Sequence, residues 1–229
     1  MIRVRGGALV SLAACVAALI ALGCGRPAVS SSAPAEVALP AAATVGKMSV
    51  EEAISKRRSV RRFADKDLTI GQVGQLAWAA QGITEPGRGL RAAPSAGATY
   101  PLEMYVVKKE GVFHYLPQGH KLEQLSDRDH RADLAQAAMG QGSVRGAPVS
   151  FVFAAVYQRT RARYGDRAER YVHMEAGHAA ENIHLQAVAL GLASVPVGAF
   201  DDGEVAKALS LPADQAPIYI IPVGYPGGA

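Results

Sequence analysis

Cysteine is almost absent from this chain. Its 229 residues hold two, Cys15 and Cys24, both near the N-terminus. Beyond residue 24 there is no thiol, which excludes a disulfide framework, a thiolate metal site and a cysteine nucleophile there. Two familiar catalytic turns are missing as well. No Gly-x-Ser-x-Gly elbow occurs, and Ser95 lies in Pro-Ser-Ala-Gly, which does not match a strand-to-helix nucleophile turn. No Gly-x-Gly-x-x-Gly follows a strand, and Gly140-Gln141-Gly142 precedes an apolar strand instead of opening a helix. A serine hydrolase and a Rossmann dinucleotide fold are thereby set aside. Internal repeats are lacking. Charge of one sign is lacking too: the formal net charge of +4 becomes +2 when the two arginines of the first 24 residues, Arg3 and Arg5, are left out. No nucleic-acid partner is indicated.

The apolar run Ala8 to Leu22 is short for a transmembrane helix. Preceded by Arg3 and Arg5 and ending Ala21-Leu22-Gly23-Cys24, it has the layout of a secretory signal. The cysteine directly after Leu-Gly resembles a bacterial lipoprotein signal, in which Cys24 is lipidated and becomes the first residue. An ordinary signal peptide and an uncleaved anchor remain as alternatives. The expected organisation is a signal over 1–24, an Ala/Pro/Ser-rich tether over 25–47 and one folded domain over 48–229. The expected location is the bacterial cell envelope, with a lipid anchor in a membrane.

What is present is arginine, concentrated in Arg57-Arg58-Ser59-Val60-Arg61-Arg62-Phe63. Ser49 and Glu52 read as a capping box, so a helix over about 50–57 delivers these arginines to its exit. A guanidinium grips phosphate through two parallel charge-assisted hydrogen bonds, and a neighbouring hydroxyl can add a third. Taken alone, the stretch reads first as a solvated basic run or a nucleic-acid patch. The remaining pattern predicts helices over about 70–81, 129–139, 167–190 and 204–209. It predicts a hairpin from Met104–Val107 and Val112–Tyr115, and buried strands over 149–156, 194–197 and 218–223. Residues 82–99 read as a loop. Helices and strands mix throughout, which indicates a layered α/β or α+β sheet protein.

Glu175-x-x-His178 and Glu181-x-x-His184 have the spacing of carboxylate-bridged di-iron ligands, but both pairs lie on one helix. Six residues at 100° turn the second pair about 240° from the first, so they cannot share a metal centre. No metal is expected, and Glu175 and His178 read as packing or hydrogen-bonding residues.

Three segments, in order, resemble the FMN-dependent nitroreductase superfamily, and within it the SagB/ThcOx-type dehydrogenase branch. They are Arg57–Arg61, then Ala93-Pro94-Ser95-Ala96-Gly97-Ala98-Thr99-Tyr100-Pro101, then Glu175 through Asn182 to Gly191-Leu192-Ala193-Ser194-Val195-Pro196-Val197-Gly198-Ala199-Phe200. The resemblance spans roughly residues 49–226. It implies an α+β (αβα layered) fold with a central mixed, mainly antiparallel sheet, working as an intertwined homodimer with FMN at the interface. Arg57, Ser59 and Arg61 would hold the FMN phosphate, ribityl chain and pyrimidine edge, with Arg58 adjoining through its backbone. Pro94, Ser95 and Ala96 would reach the flavin from the partner subunit. Gln141 would contact the isoalloxazine ring. Pro196, Val197, Gly198 and Ala199 would lie along one flavin face, with a backbone N–H near N5.

The activity implied is a two-electron oxidoreduction by ping-pong half-reactions on a small molecule or a peptide. Members of the branch oxidise azolines in peptides. The basic residues that many nitroreductases carry near the C-terminus are not found in Val223–Ala229. A flavin-free binding or scaffold lipoprotein that retains the fold is the rival reading.

Overall fold

The computed structural model describes residues 35–228. The expected signal over 1–24, with Cys24, and the first part of the expected tether lie outside them. In chain order the elements are β1 (Glu36–Ala38), α1 (Val50–Lys56), α2 (Ile70–Gln81), the short pair β2 (Ile83–Glu85) and β3 (Leu90–Arg91), β4 (Leu102–Lys108), β5 (Gly111–Leu116), β6 (Lys121–Ser126), α3 (Arg131–Ala137), α4 (Gly142–Arg145), β7 (Val149–Ala155), α5 (Tyr157–Tyr164), α6 (Ala168–Ala189), β8 (Ala193–Ser194), α7 (Asp202–Leu209) and β9 (Ala216–Gly224).

Seven strands form one sheet in the order β1-β6-β5-β4-β7-β9-β8. Every ladder in it is antiparallel. The parallel component is the isolated bridge between Ser59 and Ser194. The tether ends earlier than expected: Glu36–Ala38 pairs with β6 and Leu39 is buried, so the folded unit takes in the chain from residue 35. Composition hid this because one buried leucine and backbone pairing suffice to hold an edge strand.

Alternation along the central strands builds two cores. Phe151 and Phe153 of β7 join Met104 and Val106 of β4 under α2 and α6, while Val152 and Ala154 join Tyr105 and Val107 under α3, α4 and α7. The continuous apolar run of β7 is therefore a strand covered on both faces. Small residues on α6, Ala176, Ala179, Ala180 and Ala187, let it sit close to α2 and the sheet. At its end Gly191 adopts φ +70°, the left-handed stop that favours glycine. α1 begins as the sequence indicates, Ser49 Oγ accepting the Glu52 N–H at 3.1 Å; the Glu52 carboxylate instead pairs with Lys56.

The strand expected over 194–197 is shorter, with only Ala193–Ser194 in a ladder and a separate bridge from Val197 to Ile220. The expected 82–99 loop contains the β2–β3 pair and a 3-10 turn at Ala96–Ala98. Strand β6 and helix α5 carry no clear sequence signal. Only Leu122 in β6 and Thr160 in α5 are buried, so their polar residues mask the period.

Candidate functional site

α1 ends at Arg57, whose N–H donates to the Ala53 carbonyl at 2.9 Å, and the chain leaves extended. Arg58 turns back to cap that helix, donating from Nη1 to the Ser55 and Arg57 carbonyls at 3.0 and 2.7 Å. The exit is pinned beside β8, where the Val60 N–H donates to the Ser194 carbonyl at 3.0 Å. It then crosses to the C-terminal segment: the Ala64 N–H reaches the Tyr225 carbonyl at 2.9 Å, and the Gly227 N–H reaches the Arg62 carbonyl at 3.0 Å. Among the described residues none of Arg57, Arg58, Arg61 and Arg62 is in an ion pair.

His184 of α6 backs this segment. It is 4% exposed, and its Nδ1 lies 2.7 Å from Ser194 Oγ. Burial, with the Arg57 charge adding to it, lowers its pKa to about 4, so the ring is neutral. Its buried Nε2 has no hydrogen-bond partner among the described residues.

Beyond the arginines opens a cavity of about 530 Å³ lined by Arg61, Arg62, Phe63, Gln141, Gly142 and Ser143. Gln141 follows a turn with Met139 at φ +57° and Gly140 at φ +70°. That turn aims its side chain across the opening, where Nε2 donates to the Ala199 carbonyl at 2.8 Å. Arg61, Gln141 and Ala199, far apart in sequence, thus converge. Gly198 and Ala199 are exposed beside them, whereas Val197 is buried in the core, so it can offer only backbone. A Cβ added at Gly140, Gly142 or Gly198 would meet nothing within 4 Å. Arg62, which strand alternation sends to the opposite side, also lines the cavity. The chain changes pairing partner between Val60 and Phe63, from Ser194 to Pro226, and alternation does not carry across that change.

Pro94, Ser95 and Ala96 do not join this cavity within one chain. They sit against α5 and α6, where Tyr100 N–H donates to Ser95 Oγ at 2.9 Å and Arg163 Nη1 donates to the Gly97 carbonyl at 3.1 Å. Gly97, Ala98 and Tyr100 all have positive φ, at +60°, +54° and +45°. A Cβ on Gly97 would approach Tyr164 Oη to 2.6 Å. Strain of this kind persists only where surroundings over-determine it, and it gathers at functional loops.

A larger cleft of about 680 Å³ lies between residues 43–50 and helices α2 and α6. Its amides are satisfied internally: Gln75 bonds Ala43 and Gln186, and Asn182 bonds the Ala79 carbonyl. Of the two Glu-x-x-His pairs, Glu175 and His184 are buried while His178 and Glu181 are exposed. Of the packing and hydrogen-bonding roles that the sequence allows His178, its exposure excludes packing.

Over residues 54–225 the chain matches the family model described as the nitroreductase family. The chain belongs to the nitroreductase family. A nitroreductase-like protein of Methanocaldococcus jannaschii is 41% identical to it over 195 residues, covering 82% of this chain and 96% of that one. The Escherichia coli microcin B17-processing protein McbC is 27% identical over 65% of this chain, which spans 59% of McbC, and supports the SagB-like branch. The crystal structure of a nitroreductase-like protein from Ralstonia eutropha superposes with a TM-score of 0.76 at 28% identity, covering 85% of this chain and 90% of that one. This nitroreductase-family protein has the layered α+β fold of its relatives and is an oxidoreductase.

Proposed function

We propose that the cavity edged by Arg61, Gln141 and Ala199 is one half of an FMN site, completed by a second copy of the chain. The observation that carries this is the pairing of unpaired guanidiniums with a floor free of side chains. Arg61 lines one end and Arg57 lies four residues before it in the same segment, and neither has an acidic partner among the described residues, as a phosphate and a pyrimidine edge require. Gly142 and Gly198 leave open space at the other, as a planar ring requires. These residue types fit FMN.

When bound, FMN supplies two-electron hydride chemistry at its N5. The chain contributes position and charge. Arg57 and Ser59 take the phosphate and ribityl end, with Arg58 holding the helix exit in place. Arg61 offers positive charge to the pyrimidine edge, stabilising negative charge that develops there. Gln141, oriented by Ala199, presents its amide to the ring, and the Pro196–Ala199 backbone lines one face. Pro94, Ser95 and Ala96 serve the site across the dimer interface, which is why they stand apart from it in one chain.

The reaction class is two-electron transfer by alternating half-reactions to or from a small molecule or a peptide group. Outside the described residues, Cys24 is the lipidation site of a cell-envelope lipoprotein, with 1–24 as its signal.

The test is the colour of the purified protein. Absorbance near about 370 and 450 nm, lost on denaturation and ultrafiltration and restored with FMN, is the expected result. A colourless protein that cannot be reconstituted would instead support a flavin-free scaffold.

A further inference from the structure

Glu175 lies in the apolar stripe of α6, 3% exposed, between helices α2 and α6 and the loop after β3. Among the described residues its Oε1 has no hydrogen-bond donor. α6 packs against the turn that follows Ser95, and the Ser95 hydroxyl is close enough to act on the charge of the carboxyl. Because Ser95 Oγ already accepts the Tyr100 N–H at 2.9 Å, its own proton is free to point at Glu175.

The cation whose charge acts on it, Arg91 on β3, is engaged elsewhere. Its Nη1 donates to Gln81 Oε1 at 2.8 Å and its guanidinium stacks 4.5 Å from the centre of the Tyr100 ring. No ion pair reaches Glu175 among the described residues. The other charged groups of this region hold one another: Glu103 on β4 accepts from Arg159 on α5 at 2.5 Å and meets His114 Nε2 on β5 at 2.7 Å. An ionised carboxylate at position 175 would be a buried charge without compensation, which proteins avoid by holding the proton.

Above Glu175 the loop is strained, with positive φ at Gly97, Ala98 and Tyr100. Its other clamps come from α5: Arg159 Nη1 donates to the Tyr100 carbonyl at 2.9 Å, and Thr160 Oγ1 lies 2.9 Å from Thr99 Oγ1. The contact from α6 is the one made by a carboxyl that has no ion-pair partner among the described residues.

We propose that Glu175 is a positioning residue of the oxidoreductase site: as a neutral acid it seats the Pro94–Ala96 segment from beneath, through Ser95. Burial raises its pKa to about 7, with the neighbouring Ser95 hydroxyl and the Arg91 charge only partly opposing. A loop that lifts exposes the carboxyl to water, where it ionises at the ordinary value of 4.5. The balance between seated and lifted loop therefore shifts about tenfold per pH unit between these two values and levels off above the higher one. The loop is tightest in acid and loosens toward neutrality. The consequence for cofactor binding rests on the proposal that Pro94–Ala96 serves the flavin across the dimer interface.

The experiment is amide hydrogen exchange of the full chain, without and with FMN, at about pH 5 and about pH 7, corrected for intrinsic exchange. Wild type and Glu175→Gln, which mimics the neutral acid in shape, are compared. Amides of residues 95–100 are expected to lose up to about a hundredfold in protection between the two pH values in wild type, and to stay protected in the variant. Ser95→Ala, which removes the link, is expected to lower protection at both. A wild-type profile flat with pH, or an equal slope in Glu175→Gln, overturns the proposal.

FMN affinity is measured in parallel. Because the phosphate of FMN itself titrates near about pH 6, only the difference between the two proteins counts. Tighter FMN binding by Glu175→Gln at about pH 7 supports the full inference. Exchange that behaves as expected with identical FMN affinities leaves Glu175 seating the loop and overturns the assignment of that loop to the flavin.

Discussion

His184 Nδ1 stands 2.7 Å from Ser194 Oγ, and the Ser194 carbonyl in turn accepts the N–H of Val60 at 3.0 Å. A buried, neutral ring on the longest helix thus fixes the short strand against which the arginine segment lies. The contact joins the core to the phosphate end of the proposed site in two hydrogen bonds.

This contact makes stability depend on acid. The His184 pKa is depressed from 6.5 to about 4 by burial and the Arg57 charge, so the unfolded chain binds the proton more readily. Its contribution is fully present above about pH 6.5 and is lost as pH falls toward about 4, up to about 3 kcal/mol. Urea unfolding across that window should show the slope in wild type and a weaker one in His184→Asn.

The arginines should divide by the roles proposed for them. Hydrogen bonds to charged groups contribute about 1.5–3 kcal/mol, so Arg57→Ala and Arg61→Ala should each weaken FMN binding roughly 10- to 150-fold. Arg62 lines the cavity but its carbonyl is tied to Gly227, and Arg62→Ala should cost less. Fluorescence titration of the stripped protein with FMN separates them. Equal losses at all three positions would indicate a diffuse basic surface.

Filling the floor should separate folding from binding. Gly198 does not have a positive φ, and a Cβ there meets nothing within 4 Å. Gly198→Leu should therefore change unfolding stability by less than about 0.5 kcal/mol. The same substitution should abolish FMN retention on gel filtration, because the side chain occupies the space proposed for the ring. Loss of both together would place Gly198 in the fold instead.

Anchoring is tested at Cys24. In a bacterial host Cys24→Ala should move the protein from the membrane to the soluble fraction or block its processing. Membrane retention unchanged by the substitution would sink the lipoprotein proposal and favour the Ala8–Leu22 run as the anchor.

Much of the fold is legible in one dimension because single elements bury one clear face. The spacing of Val73, Leu76, Ala77 and Ala80 marks α2 over the residues it occupies, and the unbroken apolar run at 149–155 marks the central strand. Gly191 announces the end of α6. The arginine cluster and the Pro94–Tyr100 segment are visible as chemistry, since guanidiniums, proline and glycine are informative wherever they fall.

What needed the third dimension was every property that depends on a neighbour distant in sequence. β1 and β6 hold each other as edge and near-edge strands through backbone hydrogen bonds, which leave no pattern in side chains. Arg62 reaches the cavity only because the chain changes pairing partner before Phe63. Glu175 sits four residues before Ala179 and eight before Ile183, so the helical period alone puts it on the apolar face. That it lies unpaired there, under Ser95, was decided by Arg91 turning to Gln81 and Tyr100. Local propensity and period are written in consecutive residues; the charge state of a carboxyl is set by which groups the packed fold leaves beside it.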